Sequence, residues 1–392
     1  MQATRTKRTL FILFQAAVLS FILLVGFGQP VQAIETIARQ AFLMDMTTGE
    51  VLLNKNADEP MAPASMSKMM TAYMVFERLR DGSLKMDDTF LVSEDAWRRG
   101  GAKSGGSTMF LEPGKRVRVE DLLRGIIVQS GNDACIVVAE NLASSEQAFA
   151  EEMTTRAREI GLKNSVFKNA TGWPDPEHLT TARDLATLAK LTIKNFPQFY
   201  PIYSEKEFTY NAIRQINRNP LLYRNNNADG LKTGHTQVSG YGLTASTFKE
   251  GRRLILVVNG LATKKERSRE PDRLLAWGFR EFNNYKLFSA GEEVTKADVW
   301  LGQEATVPLV IEKEMLLTIA RKARRKMKVA VHFENPIPAP IAKGQKVARL
   351  ILTAPGRDPL EVPLLAANEV KRLGLIGRLG TALKAIILGD AE

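Results

Sequence analysis

A serine and a lysine three residues apart are the first pair in this sequence that could perform covalent catalysis. Ser65 and Lys68 stand in Pro63-Ala64-Ser65-Met66-Ser67-Lys68, directly before an apolar stretch of helical character. Residues three apart share one face of a helix, so the lysine amine can reach the serine hydroxyl. A neutral lysine amine can activate a serine nucleophile, provided that burial and a second cation lower its pKa. The pair alone occurs by chance in many proteins and needs support from other motifs.

Two further motifs follow, the first about 60 residues on and the second about 100 residues beyond it. Ser130-Gly131-Asn132 interrupts an apolar region, which predicts a hydroxyl and an amide at a break between two helices, facing a cleft. Lys232-Thr233-Gly234 precedes a pair of apolar strands, and its glycine lets another backbone approach closely. The order S-x-x-K, S-x-N, K-T-G resembles the motif set of penicillin-binding proteins and class A β-lactamases.

The composition gives no support to metal chemistry. The three histidines, His178, His235 and His332, stand far apart and form no H-E-x-x-H motif. A single cysteine excludes an intramolecular disulfide and a cysteine-rich zinc site. We therefore expect no metal and no cofactor, and a reaction that uses hydroxyls, amines, amides and carboxylates.

The charge balance points to an anionic partner. Among 392 residues, 54 are basic and 43 acidic, which gives a net charge of +11. The hydrophobic fraction of 44% and the charged fraction of 25% are ordinary for a globular protein, and they exclude collagen, low-complexity disorder and a polytopic membrane protein. Nucleic acid, phospholipid headgroups or an acidic polymer would each suit the positive charge.

The N-terminus has the organisation of a secretory signal. Arg5, Lys7 and Arg8 precede an apolar run over residues 10–27, and Val31-Gln32-Ala33 supplies small residues at the spacing of a cleavage site. We expect cleavage after Ala33, with an uncleaved membrane helix as the alternative. Export in either form makes nucleic acid an improbable partner.

The C-terminal residues predict an amphipathic helix. Between Val370 and Leu388, apolar residues recur at steps of three and four. Cations lie mostly away from this stripe: Lys371, Arg372, Arg378 and Lys384. A basic amphipathic helix is suited to lie on an anionic membrane surface, and docking on the protein's own domain is the alternative.

Two predicted hairpins, at residues 41–53 and 243–259, frame the larger domain. Strands at both ends with helices between them predict an α/β domain with a largely antiparallel sheet. Short strands from about residue 289 predict a small β-sandwich. The expected organisation is a signal peptide at 1–33, the α/β domain at 34–288, the β domain at 289–367 and an anchor helix at 368–392.

Other segments of the chain resemble the low-molecular-mass D-alanyl-D-alanine carboxypeptidases, which are serine penicillin-binding proteins. These segments are Phe42-Leu43-Met44-Asp45, Ser107-Thr108-Met109-Phe110-Leu111, Ser130-Gly131-Asn132-Asp133-Ala134, Asn169-Ala170-Thr171-Gly172, Thr181-Ala182-Arg183-Asp184 and Asp229-Gly230-Leu231-Lys232-Thr233-Gly234-His235-Thr236. The resemblance implies a transpeptidase/β-lactamase-like α/β domain, with helices flanking an antiparallel sheet, then an all-β domain and an amphipathic helix. Trp173 departs from it, since a smaller apolar residue is common there.

The resemblance also implies a role for each motif residue. Ser65 is the acyl-ester nucleophile, Lys68 the general base and Ser130 the proton relay, while Asn132 holds the substrate amide. The main-chain N–H groups of Ser65 and His235 form the oxyanion hole. The expected substrate-binding residues are Lys232, Thr233, Gly234, His235 and Arg218.

The implied reaction is removal of the terminal D-alanine from the pentapeptide stem of peptidoglycan, with a role in cell-wall remodelling and cell shape. β-Lactam antibiotics would inhibit it by acylating the same serine. The implied location is the periplasmic face of the bacterial inner membrane, and the oligomeric state is open between a monomer and a homodimer.

Several other interpretations of the sequence carry less weight. A β-lactamase needs a glutamate for deacylation, and Glu177 lies in a segment without that family's motif. A D,D-endopeptidase would differ only in the leaving group of its reaction, and this alternative stays open, mainly as a side activity. A non-catalytic wall-binding protein would have lost at least one side chain of the motif set, and all are present. Residues 100–106 lack the spacing of a phosphate loop, and His235 has no acid partner in a motif. The basic run from Arg321 to Lys328 is typical of a solvated face.

Overall fold

The computed structural model of the protein describes residues 34–377 and 379–380. The predicted signal peptide lies outside the described residues, as does the predicted anchor helix from residue 381 onward. The described residues form two compact units. Ile34–Ser289 together with Glu314–Arg321 make up the larger unit, while Ala290–Lys313 and the residues from Lys322 onward make up the smaller one.

Seventeen strands occur in the described part of the chain. In chain order they are β1 Gln40–Asp45, β2 Val51–Lys55, β3 Thr89–Leu91, β4 Arg116–Arg118, β5 Glu207–Tyr210, β6 Ile213–Ile216, β7 Ala228–Thr236, β8 Gly240–Lys249, β9 Arg252–Leu261, β10 Phe282–Phe288, β11 Glu293–Trp300, β12 Thr306–Ile311, β13 Met315–Ala320, β14 Lys328–His332, β15 Ile337–Pro338, β16 Lys346–Thr353 and β17 Leu360–Ala366.

Eight α-helices accompany these strands in the same part of the chain. They are α1 Lys68–Asp81, α2 Glu94–Gly100, α3 Val119–Arg124, α4 Asn132–Ala143, α5 Glu146–Glu159, α6 Ala182–Asn195, α7 Lys264–Glu281 and α8 Arg321–Arg324. Hydroxyl side chains cap several of them by accepting the N–H three residues on, which satisfies an otherwise free donor: Ser93, Ser145, Thr181 and Thr263.

A five-stranded antiparallel sheet in the order β2-β1-β9-β8-β7 forms the centre of the larger unit. Both predicted hairpins are confirmed, as β1 pairs with β2 and β8 with β9. The terminal strands also meet as expected, because β1 pairs with β9 along its whole length. The α/β class with an antiparallel sheet is therefore confirmed.

Successive apolar side chains of β9 point to opposite faces of this sheet, and each face has its own hydrophobic core. Ile255 and Val257 belong to one core, which includes most of α1 and α4. Leu254 and Leu256 belong to the other, together with Leu274 of α7. Side chains along a strand point to opposite faces, so a strand that is apolar throughout must be covered twice. Helices on both faces thus bury the sheet and hold the motif residues at its β7 edge.

The smaller unit contains a six-stranded sheet in the order β14-β16-β17-β12-β11-β15. The segment Glu314–Arg321 interrupts it along the chain, because β13 pairs with β10 inside the larger unit. The expected boundary between the two domains, at residue 288, does not include the return of the chain to the larger unit at Glu314–Arg321. The predicted strand near Val329 is β14, an edge strand of which Val329 is exposed.

The helix predicted from Val370 begins later than expected. Val370 is buried and forms a β-bridge with Ile341, which removes it from the apolar stripe. Helical residues start at Leu375, and Leu375, Ile376 and Leu379 are all exposed. Among the described residues, no helix is long and apolar enough to cross a membrane.

Candidate active site

Ser65 lies in a short turn that leads directly into α1. Pro63 precedes a 3₁₀ turn over Ala64–Ser67, and the α-helix begins at Lys68. The sequence predicted Ser65 in the first helical turn, and the tighter 3₁₀ geometry is the form that this turn takes. Lys68 Nζ lies 3.1 Å from Ser65 Oγ, so the predicted base contacts the predicted nucleophile.

Lys68 is almost completely buried and has three acceptors around its amine. Nζ lies 2.8 Å from Asn132 Oδ1 and 2.6 Å from the Thr171 carbonyl, in addition to the Ser65 contact. Once neutral, the amine retains two N–H donors for Asn132 and Thr171, and its lone pair can face Ser65 Oγ. In the 3.1 Å contact, the longest of the three, the neutral Lys68 amine can therefore accept the proton of the Ser65 hydroxyl.

The pKa of Lys68 is lowered to about 8, chiefly by burial, and the positive charge of Arg218 contributes to this lowering. Cys135, Asp133 and Glu146 act in the opposite direction, because negative charge favours the ammonium form. Burial also places the pKa of Lys232 well below its ordinary value, with repulsion from Lys68 as the next cause. Two buried amines near each other cannot both keep a proton cheaply, so a charge on one disfavours a charge on the other.

Ser130 and Asn132 stand at a break between two helical segments, as predicted. A π-helical turn over Gly125–Gln129 ends at Ser130, whose φ of 67° is left-handed, and α4 then begins at Asn132. Both side chains are buried, 2% and 4% exposed. The break turns the Ser130 hydroxyl into the same cavity as Ser65.

Asp133 fixes this break, a role that sequence reasoning missed. Its carboxylate accepts hydrogen bonds from Thr108 Oγ1 at 2.6 Å and from the N–H groups of Met109 and Leu111 at about 3 Å. Burial raises its pKa, while these donors oppose the rise. A charged residue inside the apolar run of α4 was the signal that could have marked it.

The Lys-Thr-Gly motif lies inside β7, next to the turn that carries Ser65. Lys232 and Thr233 are buried there. A Cβ atom on Gly234 would lie 2.8 Å from the Pro63 carbonyl oxygen, so only glycine permits this approach of strand to turn. The close backbone contact predicted for this glycine is present.

A strongly cationic cavity of about 690 Å³ opens above these motifs. Its lining includes Ser65, Ser130, Thr233 and three cations, and no acidic residue lines it among the residues described. The cations are Arg218, Lys264 and Arg267. Such a lining is suited to a ligand with a free carboxylate.

The two arginines of this cavity are held differently. Arg218 donates a hydrogen bond to Ser107 Oγ. Arg267, which sequence reasoning missed, lies over the Tyr241 ring at 5.3 Å, and its buried Nε has no hydrogen-bond partner. A buried N–H donor without a partner carries a free-energy cost.

Asn169 shapes the turn that brings Thr171 to Lys68. Its Oδ1 accepts hydrogen bonds from the N–H groups of Thr171, Gly172 and Trp173 at 2.7–3.2 Å. Gly172 has a φ of +81°, and a Cβ there would lie 1.9 Å from the Ala64 carbonyl oxygen. Glycine is therefore required at this position by both conformation and space.

His178 anchors the same loop to the 3₁₀ turn before α1, and His235 has a different environment. His178 Nδ1 accepts the Lys168 N–H, and its Nε2 lies 2.8 Å from Ser67 Oγ. Burial lowers the pKa of His178 to about 4, so the ring is neutral at pH 7. His235 stacks on Tyr241 at 3.9 Å beside the cavity.

A buried lysine that contacts a serine hydroxyl, beside a second serine and a cationic pocket, is the arrangement expected of a serine acyl-transfer enzyme whose base is a lysine. Residues 28–263 match the family profile described as D-alanyl-D-alanine carboxypeptidase. Residues 282–372 match the profile of the penicillin-binding protein 5 C-terminal domain. The chain therefore belongs to the D-alanyl-D-alanine carboxypeptidase family of serine peptidases, as the motifs indicated.

Individual relatives agree with this assignment over nearly the whole chain. The D-alanyl-D-alanine carboxypeptidase DacC of Escherichia coli is 40% identical over 354 residues, covering 90% of this chain and 88% of the relative. DacA of Haemophilus influenzae is 36% identical, covering 98% and 99%. The crystal structure of penicillin-binding protein 5 from Haemophilus influenzae superposes with a TM-score of 0.74 at 37% identity, covering 87% of this chain and all of the other.

Proposed function

We propose that this protein is a D-alanyl-D-alanine carboxypeptidase that removes the terminal D-alanine from the pentapeptide stem of peptidoglycan. The observation that carries the proposal is the 3.1 Å contact between Lys68 Nζ and Ser65 Oγ beside a cavity lined by cations. A serine nucleophile with a lysine base can perform acyl transfer, and the cations of the cavity favour a substrate that ends in a carboxylate.

The reaction begins with attack of Ser65 Oγ on the carbonyl carbon of the penultimate D-alanine. Lys68 takes the hydroxyl proton, and the N–H groups of Ser65 and His235 stabilise the oxyanion, for which each donor contributes about 10²–10³ in rate. The peptide C–N bond then breaks, and Ser130 passes its proton to the leaving amine while it takes up the proton that Lys68 had accepted. Asn132 orients both Lys68 and the substrate amide.

Water completes the cycle by attacking the acyl-enzyme. The ester bond to Ser65 Oγ breaks, the shortened peptide leaves as a carboxylate, and the serine recovers its proton. Lys68, neutral again after the first step, is the group placed to take the proton of this water. One water is consumed and one D-alanine is released in each turnover.

Recognition of the terminal carboxylate is assigned to Lys232, Thr233 and Arg218. Arg267 joins them, because it lines the same cavity. A bound carboxylate would restore the ammonium charge of Lys232, whose pKa burial has lowered. Binding of the correct substrate would thereby place a charged Lys232 next to Lys68 during acylation.

β-Lactam antibiotics fit the same cavity as covalent inhibitors. They present a strained amide carbonyl to Ser65 and a carboxylate to the cations, and they leave an acyl-enzyme. A β-lactamase would need an acid to remove that acyl group quickly. Glu177 is exposed, pairs with Lys168 at 3.0 Å and does not line the cavity, which favours slow deacylation.

We also propose that the protein is exported and held at the periplasmic face of the inner membrane by its C-terminal residues. The exposed side chains of Leu375, Ile376 and Leu379 support this location. Truncation after Gly374 leaves the buried Val370 in place. The truncated protein should move to the soluble periplasmic fraction with activity retained, and continued membrane association would refute the anchor.

The activity is tested by D-alanine release from a stem pentapeptide. The wild-type protein should release one D-alanine per peptide, and Lys68→Arg should release none, because a guanidinium cannot act as a base. Circular dichroism should show that the variant is folded. A folded Lys68→Arg protein with wild-type activity would contradict the assigned base.

A further inference from the structure

Glu146 is a buried carboxylate close to the active site that has no role in the reaction steps. It is the first residue of α5, it is only 9% exposed, and it lies outside the lining of the cationic cavity. Glutamate is rarely buried to this extent unless its charge is paired. Capping of α5 does not explain its burial, because the Ser145 side chain already accepts the Ala148 N–H as the cap.

Both carboxylate oxygens of Glu146 have a partner. Oε1 accepts the Ala170 N–H at 3.1 Å, and Oε2 pairs with Arg99 of α2 at 2.7 Å. Arg99 also pairs with Asp95 at 2.9 Å, and its side chain is 42% exposed. Water screens the exposed guanidinium more than the buried carboxylate. Part of the negative charge of Glu146 is therefore effective inside the protein.

The backbone of Ala170 and Thr171 connects Glu146 to the general base. Glu146 holds the Ala170 N–H, and Thr71 Oγ1 donates to the Ala170 carbonyl at 2.7 Å. The next carbonyl along the chain, that of Thr171, accepts a hydrogen bond from Lys68 Nζ at 2.6 Å. Three successive peptide groups are thus fixed by α5, by α1 and by the lysine amine. Release of the first group would let the third one move.

We propose that Glu146 is a positioning residue for the general base. By holding the Ala170 N–H, it keeps the Thr171 carbonyl where this acceptor directs the Lys68 amine toward the nucleophile. The proposal rests on the carboxypeptidase function, and it adds a residue that acts through the base without touching the substrate. The hydrogen bond and the charge of Glu146 are separable, and each has its own expected effect.

The charge of Glu146 is one of several around the Lys68 amine. The other titratable groups that face this amine are Asp133 and Cys135 of α4, Lys232 of β7, and Arg218. Those that face the Glu146 carboxylate are Arg99 of α2 and Glu140 of α4. Burial is the largest influence on the pKa of Lys68, and the negative charge of Glu146 opposes the lowering that burial causes. Removal of this charge should therefore lower the pKa of Lys68 further.

The first test is Glu146→Gln, which keeps an oxygen for the Ala170 N–H but removes the charge. The measurement is the second-order rate constant of acylation by benzylpenicillin between pH 6 and pH 9. The midpoint of this profile should move to lower pH, while the plateau at high pH stays close to that of the wild type. At pH 7 the rate should rise by about threefold for each half unit of the shift. The midpoint does not depend on the fraction of the protein that is folded.

The second test is Glu146→Ala, which also removes the acceptor and leaves the buried Ala170 N–H without it. The plateau of acylation should fall about tenfold or more, because a displaced Thr171 carbonyl no longer directs the amine. For the pentapeptide, kcat should fall while KM stays near the wild-type value, since the cationic cavity is unchanged. Rates are referred to the amount of protein that forms the penicillin adduct, so misfolded molecules do not contribute.

The matched control is Glu151→Gln, which changes an exposed glutamate of the same helix. It should keep the wild-type midpoint and plateau. An unshifted midpoint in Glu146→Gln, or a wild-type plateau in Glu146→Ala, would overturn the positioning role while leaving the carboxypeptidase function intact. A wild-type protein that forms no adduct and releases no D-alanine would overturn the function as well.

Discussion

The rate of acylation should follow the protonation of Lys68. With the pKa of Lys68 at about 8, roughly one molecule in ten has the neutral amine at pH 7. With the ordinary lysine pKa of 10.5, roughly one molecule in three thousand would have the neutral amine at pH 7. The lowered pKa, of which burial is the main cause, therefore supplies a gain of about 300-fold in active base at neutral pH.

The assay is the second-order rate constant of acylation by benzylpenicillin between pH 6 and pH 9, measured in a single turnover so that deacylation does not enter. Only the neutral amine can accept the proton of Ser65, so the rate should rise about tenfold per pH unit below pH 8 and then level off. Arg218→Gln should move the midpoint upward, because the charge of Arg218 lowers the pKa of Lys68.

Two results would refute this reasoning. A rate that stays constant from pH 6 to pH 9 would mean that proton transfer to Lys68 does not limit acylation. A tenfold rise per pH unit that continues without levelling off up to pH 9 would mean that the pKa of Lys68 is not lowered to about 8 in solution.

Three further predictions concern single residues. Arg218→Gln should lower kcat/KM for the pentapeptide about 10–100-fold, chiefly through KM, because a charged hydrogen bond to the carboxylate is lost; steady-state kinetics decide this, and an unchanged KM would contradict it. Gly172→Ala should destabilise the fold by about 2 kcal/mol or more and slow acylation, because its Cβ meets the Ala64 carbonyl; a wild-type melting temperature would contradict it. The pKa of His178 is about 4 in the folded protein and 6.5 in the unfolded chain, so the unfolded chain binds the proton first as the pH falls. The free energy of unfolding should therefore decrease by roughly 3 kcal/mol between pH 6.5 and pH 4. Denaturant unfolding of His178→Gln should lack most of this slope, and an identical slope would refute the assignment.

The sequence predicts the side chains that perform the reaction better than the groups that position them. Ser65 and Lys68 could be paired from spacing alone, because three residues make one helical turn. The third partner of Lys68 is the Thr171 carbonyl, a backbone atom that no side-chain motif marks. Its position depends on Asn169 Oδ1 and on the left-handed φ of Gly172, which arise only in the folded turn.

Pairing between distant parts of the chain explains the remaining differences between the predicted and the observed structure. The hairpins of the larger unit follow from local alternation and tight turns, so they were predictable. β13 pairs with β10 across an intervening part of the smaller unit, and alternation within one segment does not specify its partner. Arg267 projects from α7 into the cationic cavity without any neighbouring motif, and Val370 changes from a helical to a bridging role through its contact with Ile341.

The most direct test of the central claim is the intact mass of the protein after incubation with benzylpenicillin, measured beside Ser65→Ala. The account predicts a long-lived adduct of one inhibitor mass on the wild-type protein, none on Ser65→Ala, and D-alanine release from the pentapeptide by the wild-type protein alone. A wild-type protein that forms no adduct, or a Ser65→Ala variant that forms one, would contradict Ser65 as the acylated nucleophile.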